Sequence, residues 1–337
     1  ASAQLSSNHD YGMFYLYGSP KEGQDTKEVR RLMLGEIEKL KKGQFSDDLL
    51  PSAVNNMKLK YYQSLRKNDE RADRFVNAFI NDKQWDDEVH SLDRIAKMTK
   101  SQIVDFANRF FTDGYVTVFK AQGNDTTIHK IEKPHITPIP TNNDKQSEFL
   151  KEIVNAKPEP IQPKFVDFKR DLTVARTKKG LDYLYKKNTS DDIFCLTYHY
   201  PFGSESDNQY AVAADYLSYV GTDKLSNEKI QQQFFKLACS YNVSVGDDAI
   251  NISISGLNSN MPAAVRLLEN VLTSAKADKE SYDKYVGIVL KARADAKSEQ
   301  RANFSALTML GEYGAYNPQL NDMSEKQLRD ADPQALL

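Results

Sequence analysis

Metal or acid–base chemistry in this chain would fall first to its five histidines, His9, His90, His129, His135 and His199. No two of them stand at i, i+3 or i+4, so no helix offers a metal a pair of imidazoles. His129 and His135 flank "KIEKP" and read as exposed linker histidines rather than a loose metal site. His199 sits in "YHYPFG" at a strand end, where packing against tyrosines is the expectation. Acidic pairs begin at 47, 86, 191 and 247, at helix starts or turns where carboxylates meet helix dipoles or solvent. Cys195 lies in an apolar strand-like run and Cys239 near a helix end. Both read as buried thiols, with a disulfide between them left open. "RKNDERADR" reads as a solvated, charged helix boundary. No G-x-S-x-G, P-loop or G-x-G-x-x-G is present.

The remaining candidate is "VAADYLSYVGT", Val212 to Thr222, an amphipathic helix closing on a glycine. Val212, Tyr216 and Tyr219 recur at i, i+4 and i+7, the spacing of a buried stripe. Tyr216 is therefore expected to be a packing residue whose hydroxyl finds a partner.

The elements around it follow from pattern. "YGMFYLYGSP" reads as a strand and the preceding "ASAQLSSNHD" as a loop. Asp25 and Glu28 open a helix running to Gly43, and Ser46 is expected to cap a second one to about Lys67. Helices are predicted over 70–80, 86–96 and 99–111, the last with a Thr99/Gln102 capping box, then a strand over Tyr115–Gly123. Six of the twelve prolines lie between Pro134 and Pro163, giving an extended, stiff connector that a short helix over 147–155 interrupts. Strands "LDYLYKK" and "IFCLTYHY" follow, then helices over 209–220 and 226–240, strands "NVSV" and "AINISISG", and helices from Met261 and from 279 to 300.

The same order runs twice. "YGMFYLYG", a helix, "FSDD", a long helix and "NDERADRF" correspond to "AINISISG", a helix, "KESYDK", a long helix and "EQRANF". "HSLDRIAKMTKSQIV" lines up with "SEKQLRDADPQALL". Each copy lacks what the other has, as expected for a piece cut from a longer protein inside a repeated domain. The fold class expected is α+β: two incomplete copies of an antiparallel-sheet-plus-helices domain joined by an extended proline-rich connector. The boundaries are 1–130, 131–175 and 176–337.

Forty per cent apolar and 27% charged residues describe an ordinary globular composition, and a net charge of −2 gives no reason to expect nucleic acid or an acidic membrane as partner. No apolar run is long enough to insert in a membrane, and the start carries no signal-peptide pattern.

"YLSYVGTDKLSNEKIQQQFFKLACSYNVSVGDD" is similar to the third domain of insulinase/pitrilysin-type (inverzincin) zinc metallopeptidases, and "KIEKPHITPIPTNNDKQSEFLKEIV…EPIQPKFVDFKRD" resembles the connector between their halves. The resemblance implies the end of a second peptidase-type domain, the connector and most of a third. It implies a hydrolase whose two halves close around a peptide, with zinc held by H-x-x-E-H and a downstream glutamate. The motif's slots fall here on Val212, Asp215 and Tyr216, and neither an alkyl group nor a phenol replaces an imidazole. The resemblance thus places no catalytic, cofactor or metal residue in this segment and zinc elsewhere in a longer protein. It implies as partners a peptide substrate and the further N- and C-terminal domains of the same chain, in a bacterial cell envelope (periplasm) or cytoplasm. The alternative is a segment of a catalytically inactive homologue acting as an assembly or binding subunit.

Overall fold

The computed structural model describes all of the chain except residues 22, 122, 125, 128–130 and 316–320, so His129 lies outside the described residues. It divides into two compact units, Ala1–Gly114 with Asn188–Leu337, and Tyr115–Lys187.

The first unit opens with a hairpin of β1 (Ser2–Ser7) and β2 (Gly12–Tyr17), in register from Ser2 opposite Tyr17 to Ser7 opposite Gly12. The expected loop at the N-terminus is therefore a strand. Its polar side chains hide the pattern, and pairing with the aromatic β2 supplies the ladder. Six helices follow: α1 (Thr26–Lys41), α2 (Leu49–Leu65), α3 (Asn68–Ile80), α4 (Trp85–Val89), α5 (Ser91–Ala96) and α6 (Lys100–Phe110). Asp25 caps α1 by accepting from the Lys27 N–H, and the Thr99/Gln102 capping box opens α6. Ser46 does not cap α2. Asp48 occupies the cap position already in helical conformation, and Ser46 contributes its carbonyl to the Leu49 N–H at 3.1 Å.

The second unit holds α7 (Glu148–Asn155), α8 (Phe168–Asp171) and a hairpin of β3 (Thr173–Arg176) and β4 (Asp182–Tyr185). Ser147 caps α7 through the Leu150 N–H. The strand expected over Tyr115–Gly123 forms no described strand, and Val116 and Val118 stand 90% and 87% exposed. Strand propensity without a burying neighbour does not make a strand.

The first unit resumes with β5 (Ile193–Tyr200), α9 (Gln209–Leu217), β6 (Gly221–Thr222), α10 (Asn227–Lys236), β7 (Cys239–Val245), β8 (Ile250–Leu257), α11 (Met261–Ser274), β9 (Ala275–Lys276), α12 (Lys279–Ala296), α13 (Gln300–Tyr313), α14 (Glu325–Asp330) and α15 (Pro333–Leu336). β8 is the centre of a three-stranded sheet ordered β5–β8–β7, and all described ladders are antiparallel. The main core joins this sheet to α9, α10, α11, α12 and α14, with Tyr216, Ile254, Leu268, Tyr282 and Leu328 fully enclosed. Each such large apolar side chain contributes roughly 1.5–3 kcal/mol on burial. Gly256 is required here, because a Cβ would come within 2.3 Å of the Cys239 sulfur and 2.5 Å of the Ala238 carbonyl.

α2 packs on α10 and on the end of β8, burying Leu59 with Ile193, Ala238 and Leu257. Three polar contacts fix this arrangement. Arg66 grips Asp191 with two hydrogen bonds of 2.6 and 2.9 Å, Asn56 donates to the Phe235 carbonyl at 2.6 Å, and Lys236 pairs with Asp48. Among the described residues no helix is long and apolar enough to cross a membrane.

Candidate functional site

α9 forms from an alanine-rich run in which Val212, Tyr216 and Leu217 reach the core. The helix ends at Leu217, so extrapolating the stripe to Tyr219 fails. The chain turns, Tyr219 is left 43% exposed against the Tyr285 ring, and Val220 enters the core instead.

Tyr216 meets the expectation of a packed phenol with a bonded hydroxyl. That hydroxyl donates to the Asp278 carbonyl at 2.9 Å and accepts from the Asp278 N–H at 3.0 Å. Its ring meets Tyr282 edge-on at 5.0 Å. Asp278 is the N-cap of α12 and accepts from the Ser281 N–H at 2.7 Å, so Tyr216 anchors the start of that helix. Tyr282 in turn donates to the Leu328 carbonyl at 2.9 Å. Burial pushes the Tyr216, Tyr282 and Tyr285 hydroxyls above the ordinary phenol range. Asp215 is exposed and accepts a long contact of 3.5 Å from the Tyr285 hydroxyl.

These three positions do not fit zinc. Val212 has no donor atom, both bonding directions of the Tyr216 hydroxyl are taken by backbone, and Asp215 alone is one carboxylate. The Gly-Thr pair after α9 has a structural task. An added Cβ on Gly221 would lie 2.4 Å from the Leu225 carbonyl oxygen. The Thr222 hydroxyl accepts from the Leu225 N–H at 3.1 Å, and the dipeptide pairs as β6 with β9.

The other candidate groups are scattered. His9 contacts Asp10 at 2.7 Å, His90 contacts Asp93 at 3.2 Å, and His199 contacts Asn251 at 2.9 Å across the β5–β8 ladder. His135 is exposed in the second unit. Both cysteines are free thiols; Cys195 is exposed, contrary to expectation, because its position on β5 faces outward, while burial pushes Cys239 up to about 11. The basic run is not simply solvated. Arg66 holds Asp191, whose pKa it lowers, and Arg74 reaches Glu88 at 3.0 Å and Ser64 at 2.8 Å. Among the described residues no three His, Cys, Asp or Glu side chains converge as a metal site would need.

The structure does bring together a cleft of about 1040 Å³ that no sequence motif announces. Its walls are the first turns of α2 (Asp48, Ser52, Asn56), the end of α9 (Asp215, Ser218), α10 (Glu228, Gln232, Phe235) and β7 (Tyr241, Val243). It holds carboxylates, amides and hydroxyls, together with the buried Cys239 thiol.

No known family's sequence profile matches the chain, and no curated protein matches it. Among solved structures it is similar to a peptidase M16 inactive domain from Pseudomonas fluorescens, at 16% identity and a TM-score of 0.43 over 49% of this chain and 42% of that one. It is also similar to the periplasmic protease PqqL from Escherichia coli, at 12% identity and a TM-score of 0.44, covering 92% of this chain and 37% of that one. A third is the ferredoxin protease FusC in complex with Arabidopsis ferredoxin, at 10% identity and a TM-score of 0.45, covering 94% and 35%. The chain thus spans less than half the length of each of these proteins.

Proposed function

We propose that this chain is the non-catalytic central region of a zinc metalloendopeptidase of the insulinase/pitrilysin type. Residues 1–130 are the later part of a second peptidase-type domain, 131–175 a proline-rich connector, and 176–337 a third peptidase-type domain. Its role is to shape one side of a peptide-holding chamber, with zinc chemistry in another part of a longer protein.

The observation that carries this reading is the fate of the helix before Gly221-Thr222. The position where the motif would place an imidazole holds Tyr216, whose hydroxyl is bonded in both directions to the Asp278 backbone. The helix is retained as scaffold and its ligand slots are filled by packing. A second reading is an inactive homologue that assembles with or binds another protein, for which the cleft offers carboxylates, amides and hydroxyls as binding groups.

A fluorogenic-peptide assay on this chain and on the longer protein, with and without chelator, tests the proposal. The expected result is an inert chain under every metal supplement and chelator-sensitive cleavage by the longer protein. Chelator-sensitive cleavage by this chain alone would overturn it, and an inert longer protein would favour the assembly-subunit reading.

A further inference from the structure

The chain-wide charge of −2 conceals one strongly basic stretch in the second unit. Residues 164–187 carry eight Lys and Arg against three Asp, a net charge of +5. All three carboxylates are engaged within the stretch. Arg170 grips Asp171 and Arg176 grips Asp182, each with two hydrogen bonds of 2.6–3.0 Å, and Asp167 caps α8 by accepting from the Lys169 and Arg170 N–H groups. Lys164, Lys169, Lys178, Lys179 and Lys187 are exposed and enter no ion pair among the described residues.

The same stretch leaves large apolar side chains in water. Phe165, Phe168, Val174, Leu181 and Leu184 are 63–83% exposed. Val174 and Leu184 are cross-strand partners on one face of the β3–β4 hairpin, and Tyr183 and Tyr185 stand on the other. Leu181 sits at the turn beside Lys178 and Lys179, where Gly180 takes a φ of +89° and the Thr177 N–H closes the turn on the Leu181 carbonyl at 2.8 Å. Two strands open on both faces make a marginal structure in water. A partner that covers them must be anionic and must accept aliphatic side chains. A bilayer surface bearing acidic lipids meets both requirements. Nucleic acid offers the charge and can stack on the tyrosines, but it has no apolar medium for Val174, Leu181 and Leu184. We propose that α8 and the β3–β4 hairpin dock on an anionic phospholipid surface, with the lysines among the headgroups and the hairpin's apolar side chains entering the boundary beneath them. The inference goes beyond the peptidase reading and rests on neither zinc nor a membrane-spanning helix.

The test sediments the whole chain with phosphatidylcholine vesicles, with or without phosphatidylserine. Binding is expected only where phosphatidylserine is present, and it is expected to weaken as salt rises. Lys178→Gln/Lys179→Gln should weaken it roughly ten- to thirtyfold. Leu181→Ser should weaken it roughly threefold or more while keeping its salt dependence. All three side chains are exposed at the turn, so these substitutions change surface chemistry. Equal sedimentation with both kinds of vesicle would overturn the proposal, as would binding that either variant leaves unchanged. Binding to a single-stranded oligonucleotide without binding to phosphatidylserine vesicles would also overturn it and assign the surface to nucleic acid.

Discussion

Tyr216 holds the N-cap residue of α12, Asp278, through two hydrogen bonds of a single hydroxyl, and both partners are backbone groups beside a closed core. Replacing it with Phe keeps the ring against Tyr282 and leaves the Asp278 N–H and C=O without that partner. The expected cost is roughly 1–3 kcal/mol in urea unfolding, with little change in the m-value. The cysteines make a second residue-scale contrast. Cys239, pushed up to about 11 by burial, carries almost no thiolate near neutrality, whereas Cys195 is exposed. In the native protein a maleimide at about pH 7 is expected to label Cys195 alone, with Cys239 labelled only after unfolding; two labels in the folded state would contradict the burial described.

Among the elements, α2 is the one whose placement depends most on specific polar contacts. The Asp191 side chain is 8% exposed and its partner Arg66 50% exposed, so this is a partly screened pair. Arg66→Ala is expected to cost roughly 1 kcal/mol, less at high salt. The Arg66 hydrogen bonds hold the Asp191 pKa below its ordinary 3.8. Stability from this pair is therefore present above about pH 4 and is lost as pH falls through the lowered value. An acid-unfolding midpoint that stays put in Arg66→Ala would contradict this. Helix starts were legible at Asp25, Thr99, Ser147 and Ser226, where a short polar side chain precedes an apolar period and caps the helix. β1 was not, because its polar residues take their order from β2 across the hairpin. Ser46 was misread because the chain is already helical at Asp48, and Tyr219 because the helix stops two residues earlier. The cleft lay beyond any local pattern: residues 46–56 meet residues 214–243 only in the folded unit.

At the scale of the molecule, a nick in the proline-rich stretch tests whether α2 truly belongs with the sheet. Limited proteolysis is expected to cut within residues 131–165, where apolar side chains such as Ile131, Ile139 and Ile161 are 84–96% exposed. The two products should still co-elute, because 1–114 and 188–337 form one compact unit; separation without denaturant would contradict that. Alkaline pH probes the core. Burial raises the pKa of Tyr198, Tyr216, Tyr241, Tyr282 and Tyr285 from an ordinary 10.0, and of Cys239 from 9.0 to about 11. Their stabilising contribution is complete below about pH 9 and is lost as pH climbs through the raised values. Tyrosinate absorbance and unfolding should therefore rise together. The central claim is that the helix before Gly221-Thr222 is scaffold and not a metal centre. Native mass spectrometry of the chain, loaded with zinc and then desalted, tests it most directly. No retained zinc that depends on Asp215 or Tyr216 is expected, while one chelator-sensitive zinc per chain, lost in Asp215→Ala or Tyr216→Phe, would contradict a scaffold role for this helix.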